Sequence, residues 1–267
     1  MMGSNAARAV LVSCLIVLAF LPSARASAGS LLANTQISGS CTDSNFETSG
    51  MGPVTSNLNC SFSPEGVTLT AAAAATADYG VLGVSLGNAI SIIPGGPIAA
   101  SSGGFAQAVS QDALPISNAP LSGFLRITFR LQGHLGLAVT SPESTLALVG
   151  GSLSVNNNSI YTRAIHSSAG PSEFGSLIAT IPYSDGATGL IITLQFQSSC
   201  LPLTTVSQHC SVTADFLHTA VVAGTEVLDD NLNVVEGAII TSESGFDYQA
   251  GVPPAHFLSY PTGVAGR

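Results

Sequence analysis

The stretch GFLRITFRLQ, residues 123–132, decides the fold class. In an extended chain Phe124, Arg126, Thr128 and Arg130 fall on one side and Leu125, Ile127, Phe129 and Leu131 on the other. A period of two marks a strand with one buried and one solvated face. Residues 190–197 (LIITLQFQ) alternate in the same way toward their end. Runs at 145–149, 153–155, 177–182, 219–228 and 235–241 are further strand candidates. Gly, Pro, Asn and Ser separate them at the spacing of all-β domains. Residues 68–77 (TLTAAAAATA) are the awkward case, because alanine is the best helix former. So short an alanine run does not repay helix nucleation, and threonines flank it at even spacing. It reads as a strand whose small side chains let another layer come close. Residues 94–104 (PGGPIAASSGG) read as a surface loop that could face a ligand. The expectation is an all-β chain, with a single antiparallel, jelly-roll-like β-sandwich with long loops over residues 27–267.

The first 26 residues read as a secretory signal peptide. Arg8 is followed by an apolar run, Pro22 ends it, and Ala24-Arg25-Ala26 supplies the small-residue cleavage site. The apolar run is shorter than the ~20 residues a spanning helix needs. Leu11-Val12-Ser13-Cys14 has the look of a lipobox, but cleavage there would leave an apolar segment on the mature chain. Without residues 1–26, which contain Arg8 and Arg25 and no acid, four arginines face 15 acidic residues, a formal charge of −11. There is no lysine. A nucleic-acid partner needs a basic stripe to displace counterions, so that class is excluded, and anionic membrane surfaces are excluded by sign. Only 8% of residues are charged, which leaves a neutral, hydroxyl-rich surface.

Cys14 leaves with the signal, and Cys41, Cys60, Cys200 and Cys210 remain. An even number in an exported chain points to two disulfides. Of the three connectivities, loop closure favours the local pairs Cys41–Cys60 and Cys200–Cys210. Neither spacing supplies the close cysteine pairs of a zinc site.

Gly83-Val84-Ser85-Leu86-Gly87 matches the nucleophile elbow of α/β-hydrolases. The elbow needs a strand, a tight turn and a helix, whereas NAISIIPGG at 88–96 is β-like and broken, so Ser85 reads as an ordinary strand residue. Asp229-Asp230-Asn231-Leu232-Asn233, with Glu236 nearby, offers alternate oxygens to a hard cation. The same residues suit a hairpin turn between 219–228 and 235–241, and the turn is the favoured reading. His134, His166, His209, His218 and His256 form no zinc spacing. Asp215 and His218 fall on opposite faces of an extended chain. Tyr79, Tyr161, Tyr183, Tyr248 and Tyr260 are available as sugar-stacking platforms in a chain without tryptophan. No catalytic residue, cofactor or metal ligand is assigned.

Several short segments carry a family likeness. Cys41 and Cys60 precede the Ala/Thr-rich stretch, and Ala77-Asp78-Tyr79-Gly80 and Leu82-Gly83-Val84 follow it. Gly133-His134 ends the alternating strand, and Ala214-Asp215-Phe216-Leu217-His218-Thr219-Ala220 opens the final section. Val227-Leu228-Asp229 and Ser242-Glu243-Ser244-Gly245-Phe246-Asp247-Tyr248 close it. In these the chain resembles a family of secreted bacterial proteins, many of which carry a PEP-CTERM sorting tail. The resemblance implies an extracellular or cell-surface β-sandwich without established activity. The C-terminal residues lack Pro-Glu-Pro, an apolar run and an arginine cluster, so tail anchoring is not carried over. The expected function is that of a secreted or surface-associated, non-enzymatic protein whose partner is extracellular polysaccharide. The alternatives are a carbohydrate-binding module and a secreted hydrolase acting on glycans or esters.

Overall fold

A computed structural model describes residues 29–50, 52–63, 66–93, 100–140, 145–165, 172–202 and 208–252. The signal segment and the last residues of the chain, with His166, His256 and Tyr260, lie outside them. In chain order the strands are β1 (Ser30–Gly39), β2 (Asp43–Ser49), β3 (Val54–Phe62), β4 (Val67–Asp78), β5 (Val81–Ile92), β6 (Ser102–Ser117) and β7 (Gly123–Val139). They continue with β8 (Thr145–Val155), β9 (Asn158–Ile165), β10 (Ser172–Tyr183), β11 (Ala187–Pro202), β12 (Gln208–Leu228) and the short β13 (Ile239–Ile240). One antiparallel sheet, sheet A, has the order β2-β1-β6-β11-β8-β9, with β13 joined to β6. The other, sheet B, has the order β10-β7-β12-β5-β4-β3. The sheets pack face to face, β1 and β6 over β4, β11 over β5 and β12, and β8 over β12 and β7. The chain is an all-β sandwich.

Alternation drives this packing. Leu125, Ile127, Phe129 and Leu131 of β7 are all buried, while Arg126 and Arg130 point outward. Each such apolar side chain contributes about 2 kcal/mol by leaving water. The alanine run lies in β4, with Ala71, Ala73, Ala75 and Ala77 inward. It packs on β1 and β6, whose inward residues include Ala33, Ala106 and Ala108, so small side chains meet small ones. Tertiary burial overrides alanine's helical preference here.

Three expectations change. Of the loop read at 94–104, residues 94–99 lie outside the described residues, but Ser102, Gly103 and Gly104 are buried in β6 and paired to β1 and β11. The candidates at 145–149 and 153–155 are one strand, β8, because Gly150 and Gly151 continue it rather than break it. The strand expected at 235–241 contracts to β13, which pairs with β6 and not with β12. The turn before it does form. The Asp229 N–H donates to Asn233 O at 2.9 Å, the Val235 N–H donates to Val227 O at 2.9 Å, and Leu228 bridges Val234.

The two ends of the sandwich are closed differently. At one end Cys41–Cys60 and Cys200–Cys210 each link sheet A to sheet B, with Cα–Cα distances of 6.3 and 6.1 Å. Buried polar pairs between the sheets lie toward the same end. Asn88 bonds Ser102 and Ser198, and Thr145 donates to Gln208 at 3.3 Å. At the other end residues 238–252 form a strap. Its Thr241 and Glu243 N–H groups donate to Pro115 and Ala113 carbonyls, and its Val252 N–H donates to Val222 O. Phe246 covers Gly80, the turn residue between β4 and β5, and stands edge-on to the buried Tyr248 at 4.7 Å.

Candidate functional site

Ser85 sits in the middle of β5, paired with Ala74 of β4 and Asp215 of β12. The strand runs through Gly83 and Gly87 without a turn, so no elbow lifts the hydroxyl. Asp215 is paired in turn with His134 of β7, which places Ser85, Asp215 and His134 in one row on the outer face of sheet B. The row has the residue types of a hydrolytic triad but the wrong arrangement. The acid lies between the other two, and no hydrogen bond or ion pair joins it to either. Asp215 Oδ1 instead accepts the Leu217 N–H at 3.4 Å. The His134 ring and the Thr213 hydroxyl fill the space over Gly136. The β12 register slips between Phe216 and Ala220, so Leu217–Thr219 form a bulge.

The four tyrosines among the described residues do not form a platform. Tyr79, Tyr183 and Tyr248 are buried, and Tyr161 is half-buried with its ring 6.5 Å from that of Phe216. Tyr161 and Tyr183 lie in β9 and β10, whereas Tyr79 is in the turn after β4, its hydroxyl donating to Gly50 O at 3.1 Å, and Tyr248 is in the strap. Burial, then the Asp112 carboxylate, push the Tyr248 hydroxyl well above the ordinary phenol range. Burial, then Asp112 and Asp78, also raise the Tyr79 hydroxyl above its ordinary value.

Asp112 itself was not legible as a special residue in the sequence. It is 1% exposed on the inward face of β6. Its carboxylate accepts the Ala113 N–H at 2.9 Å, the Ser244 N–H at 3.3 Å and the Ser244 hydroxyl, fastening the strap. Ser110 Oγ and Tyr248 OH lie buried beside it without a hydrogen bond of good geometry.

At the Asp229 turn, Asp229 Oδ1 accepts the Asn231 and Asn233 N–H groups, at 2.9 and 2.8 Å, and Oδ2 accepts the Asn233 amide at 3.1 Å. The Asn233 backbone N–H, followed by its side chain, holds the Asp229 carboxyl below its ordinary value, partial desolvation pulls the other way, and Asn231 adds to the lowering. The carboxylate is thereby spent on the turn. Among the described residues no three His, Cys, Asp or Glu side chains gather as a metal site. A shallow depression of about 200 Å³ at the disulfide end is lined by Ser63, Gly66, Val67, Thr68, Ser91 and Ile93 and holds no ionisable group. No helix among the described residues is long and apolar enough to cross a membrane.

The most organised surface is the outer face of sheet A. The strand registers align Phe46, Asn34, Gln107, Gln195, Ser152 and Thr162 in one row across six strands. The next row is Ser44, Gln36, Phe105, Gln197, Gly150 and Ala164. On the other side lies the row Thr48, Leu32, Val109, Thr193, Ser154 and Ser159. None of these residues is charged. Gln107 Nε2 donates to Gln195 Oε1 at 3.3 Å. The outer face of sheet B, by contrast, carries Arg130, His134, Asp215 and the Arg126–Glu226 ion pair at 2.5 Å. The signal for the amide face was present in the sequence as Asn34-x-Gln36 and Gln195-x-Gln197, but only the pairing of distant strands brings those amides together.

No protein-family model matches the chain, and no curated protein sequence matches it. The fold and the surface therefore define a class, a disulfide-clamped β-sandwich with one neutral and one charged outer face.

Proposed function

We propose that this chain is a secreted or cell-surface, non-enzymatic β-sandwich that associates with extracellular polysaccharide. The observation that carries the reading is the uncharged, amide- and hydroxyl-lined outer face of sheet A in a chain of strongly negative formal charge. Two further features support it. Disulfides suit an oxidising compartment. The residue types of a triad lie apart on a flat sheet rather than converging in a cleft, and acyl transfer needs convergence. The test is a glycan array with the purified protein, run beside a product assay on the same glycans. Saturable binding without product is the expected result. Turnover of any glycan would make the protein a hydrolase and end the non-enzymatic reading.

A further inference from the structure

We infer that the three central rows on the outer face of sheet A form the polysaccharide-binding surface, and that its ligand is a neutral, extended glycan lying across the strands. The inference rests on the proposed association with polysaccharide and adds to it a place and a chemical class. Strands lie ~4.8 Å apart, so the six-strand row from Phe46 to Thr162 is ~24 Å long. That strand spacing is close to the length of one pyranose unit. A chain laid along the row therefore meets a fresh pair of side chains at nearly every sugar.

The chemistry of the rows matches such a ligand. A side-chain amide both donates and accepts, as a sugar hydroxyl does, so amide and hydroxyl pair in either sense. Among the described residues the amides of Asn34, Gln36 and Gln197 make no hydrogen bond to protein, and this leaves them available to a ligand. Gln107 and Gln195 hold each other in place at 3.3 Å in the middle of the row. Apolar ring faces are supplied at the edge by Phe46, 59% exposed, and within the next row by the half-buried Phe105. Charge selects the ligand class. The rows contain no cation to pair with an anionic glycan, and a neutral one needs none. The charge of the chain lies outside these rows: on sheet B, in turns, on the edge strands of sheet A at Asp43, Glu47 and Arg163, and at the inward-facing Asp112.

The experiment is affinity electrophoresis of the full chain through gels containing hydroxyethylcellulose, galactomannan or xylan as neutral polymers, and alginate as an anionic one. At least one neutral polymer retards the protein and alginate does not. Gln107→Ala/Gln195→Ala and Phe46→Ala each weaken that retardation at least tenfold, and Asp215→Asn on sheet B leaves it unchanged. Gln107→Glu/Gln195→Glu keeps the side-chain shape, and thermal unfolding of every variant separates lost binding from lost folding. Retardation of the wild type that survives all sheet A substitutions overturns this surface and leaves polysaccharide association standing. Retardation by alginate alone also overturns it. If sedimentation finds that the same substitutions abolish a dimer while no polymer is bound, the face is a self-association surface and both readings fail. If no polymer retards the wild type and it is monomeric, both fail as well.

Discussion

Phe196 and Phe216 stack across the sandwich with centroids 4.3 Å apart, and the stack exists because two glycines make room for it. A Cβ on Gly133 would fall within the Phe216 ring, and one on Gly151 would meet both the Gln195 carbonyl and the Phe196 ring, well inside contact distance. Alanine in a strand gains about 0.5–1 kcal/mol over glycine from the unfolded chain, but overpacking a rigid core costs about 1–3 kcal/mol. Gly151→Ala is therefore expected to lower stability by about 1–2 kcal/mol in urea unfolding. Gly189→Ala, where an added Cβ meets nothing, should be neutral or stabilising, and equal effects at the two positions would remove the steric account. Tyr248 gives a second residue-level expectation. Its folded-state pKa is raised by burial first and by Asp112 next, so its contribution is full below the unfolded value of 10.0. It is lost as pH rises above that, because the unfolded chain ionises the phenol and the folded one does not. The wild type should lose stability from pH ~10 upward, and Tyr248→Phe should lose less of it. An identical alkaline decline in both would exclude Tyr248 as the cause. None of this was legible before the strands were paired. Gly133, Gly151 and Asp112 look ordinary in sequence, because what makes them special is a neighbour many residues away.

The first ten residues of β7 could be read directly from the sequence, because Leu125, Ile127, Phe129 and Leu131 are large and apolar and alternate with Arg126, Thr128 and Arg130. The strand runs past the end expected at Gly133-His134 to Val139, because Gly133 and Gly136 make room for Phe216 and Thr213 instead of breaking it. β6 could not be read in this way, since its inward positions run Ala106, Ala108, Ser110, Asp112 and Leu114, and small or polar residues blur the period. Of β12 only the part at 219–228 could be read as a strand, and its first half was missed for a different reason. Its register slips twice, so alternation before Phe216 does not continue past Ala220. Turn chemistry was a better guide at Asp229 than strand propensity was at 235–241, because Asp229 carries its own hydrogen-bond partners while the following segment needs β6. The disulfide pairing followed from loop length alone, and both bridges turned out to join one sheet to the other. Replacing Cys41 and Cys60, or Cys200 and Cys210, by alanine should each cost about 2–4 kcal/mol. Thermal unfolding with and without reductant checks this. A midpoint for either variant that matches the oxidised wild type would show that bridge to be energetically idle.

The molecule is held shut at two places that share no residues. The disulfides and the Asn88 cluster close one end, and the strap with Phe246, Tyr248 and Asp112 closes the other. Ala71, the β-partner of Cys60, and Asp78, where β4 ends before the Gly80 turn that lies under Phe246, stand ~23 Å apart along β4 at about 3.3 Å per residue. Between them the core is one continuous cluster of buried side chains. Sites this far apart with no common partner usually act independently on stability, within about 0.5 kcal/mol, provided that unfolding is two-state. Phe246→Ala should cost about 2 kcal/mol, less than a fully buried phenylalanine because the ring is half-buried. Combined with Cys200→Ala/Cys210→Ala, the loss should equal the two separate losses, with a single transition seen by both circular dichroism and tyrosine fluorescence. Two separated transitions would mean that the ends unfold on their own and that the sheets are not one cooperative body. A combined loss well short of the sum would mean that the two ends are coupled and do not act independently.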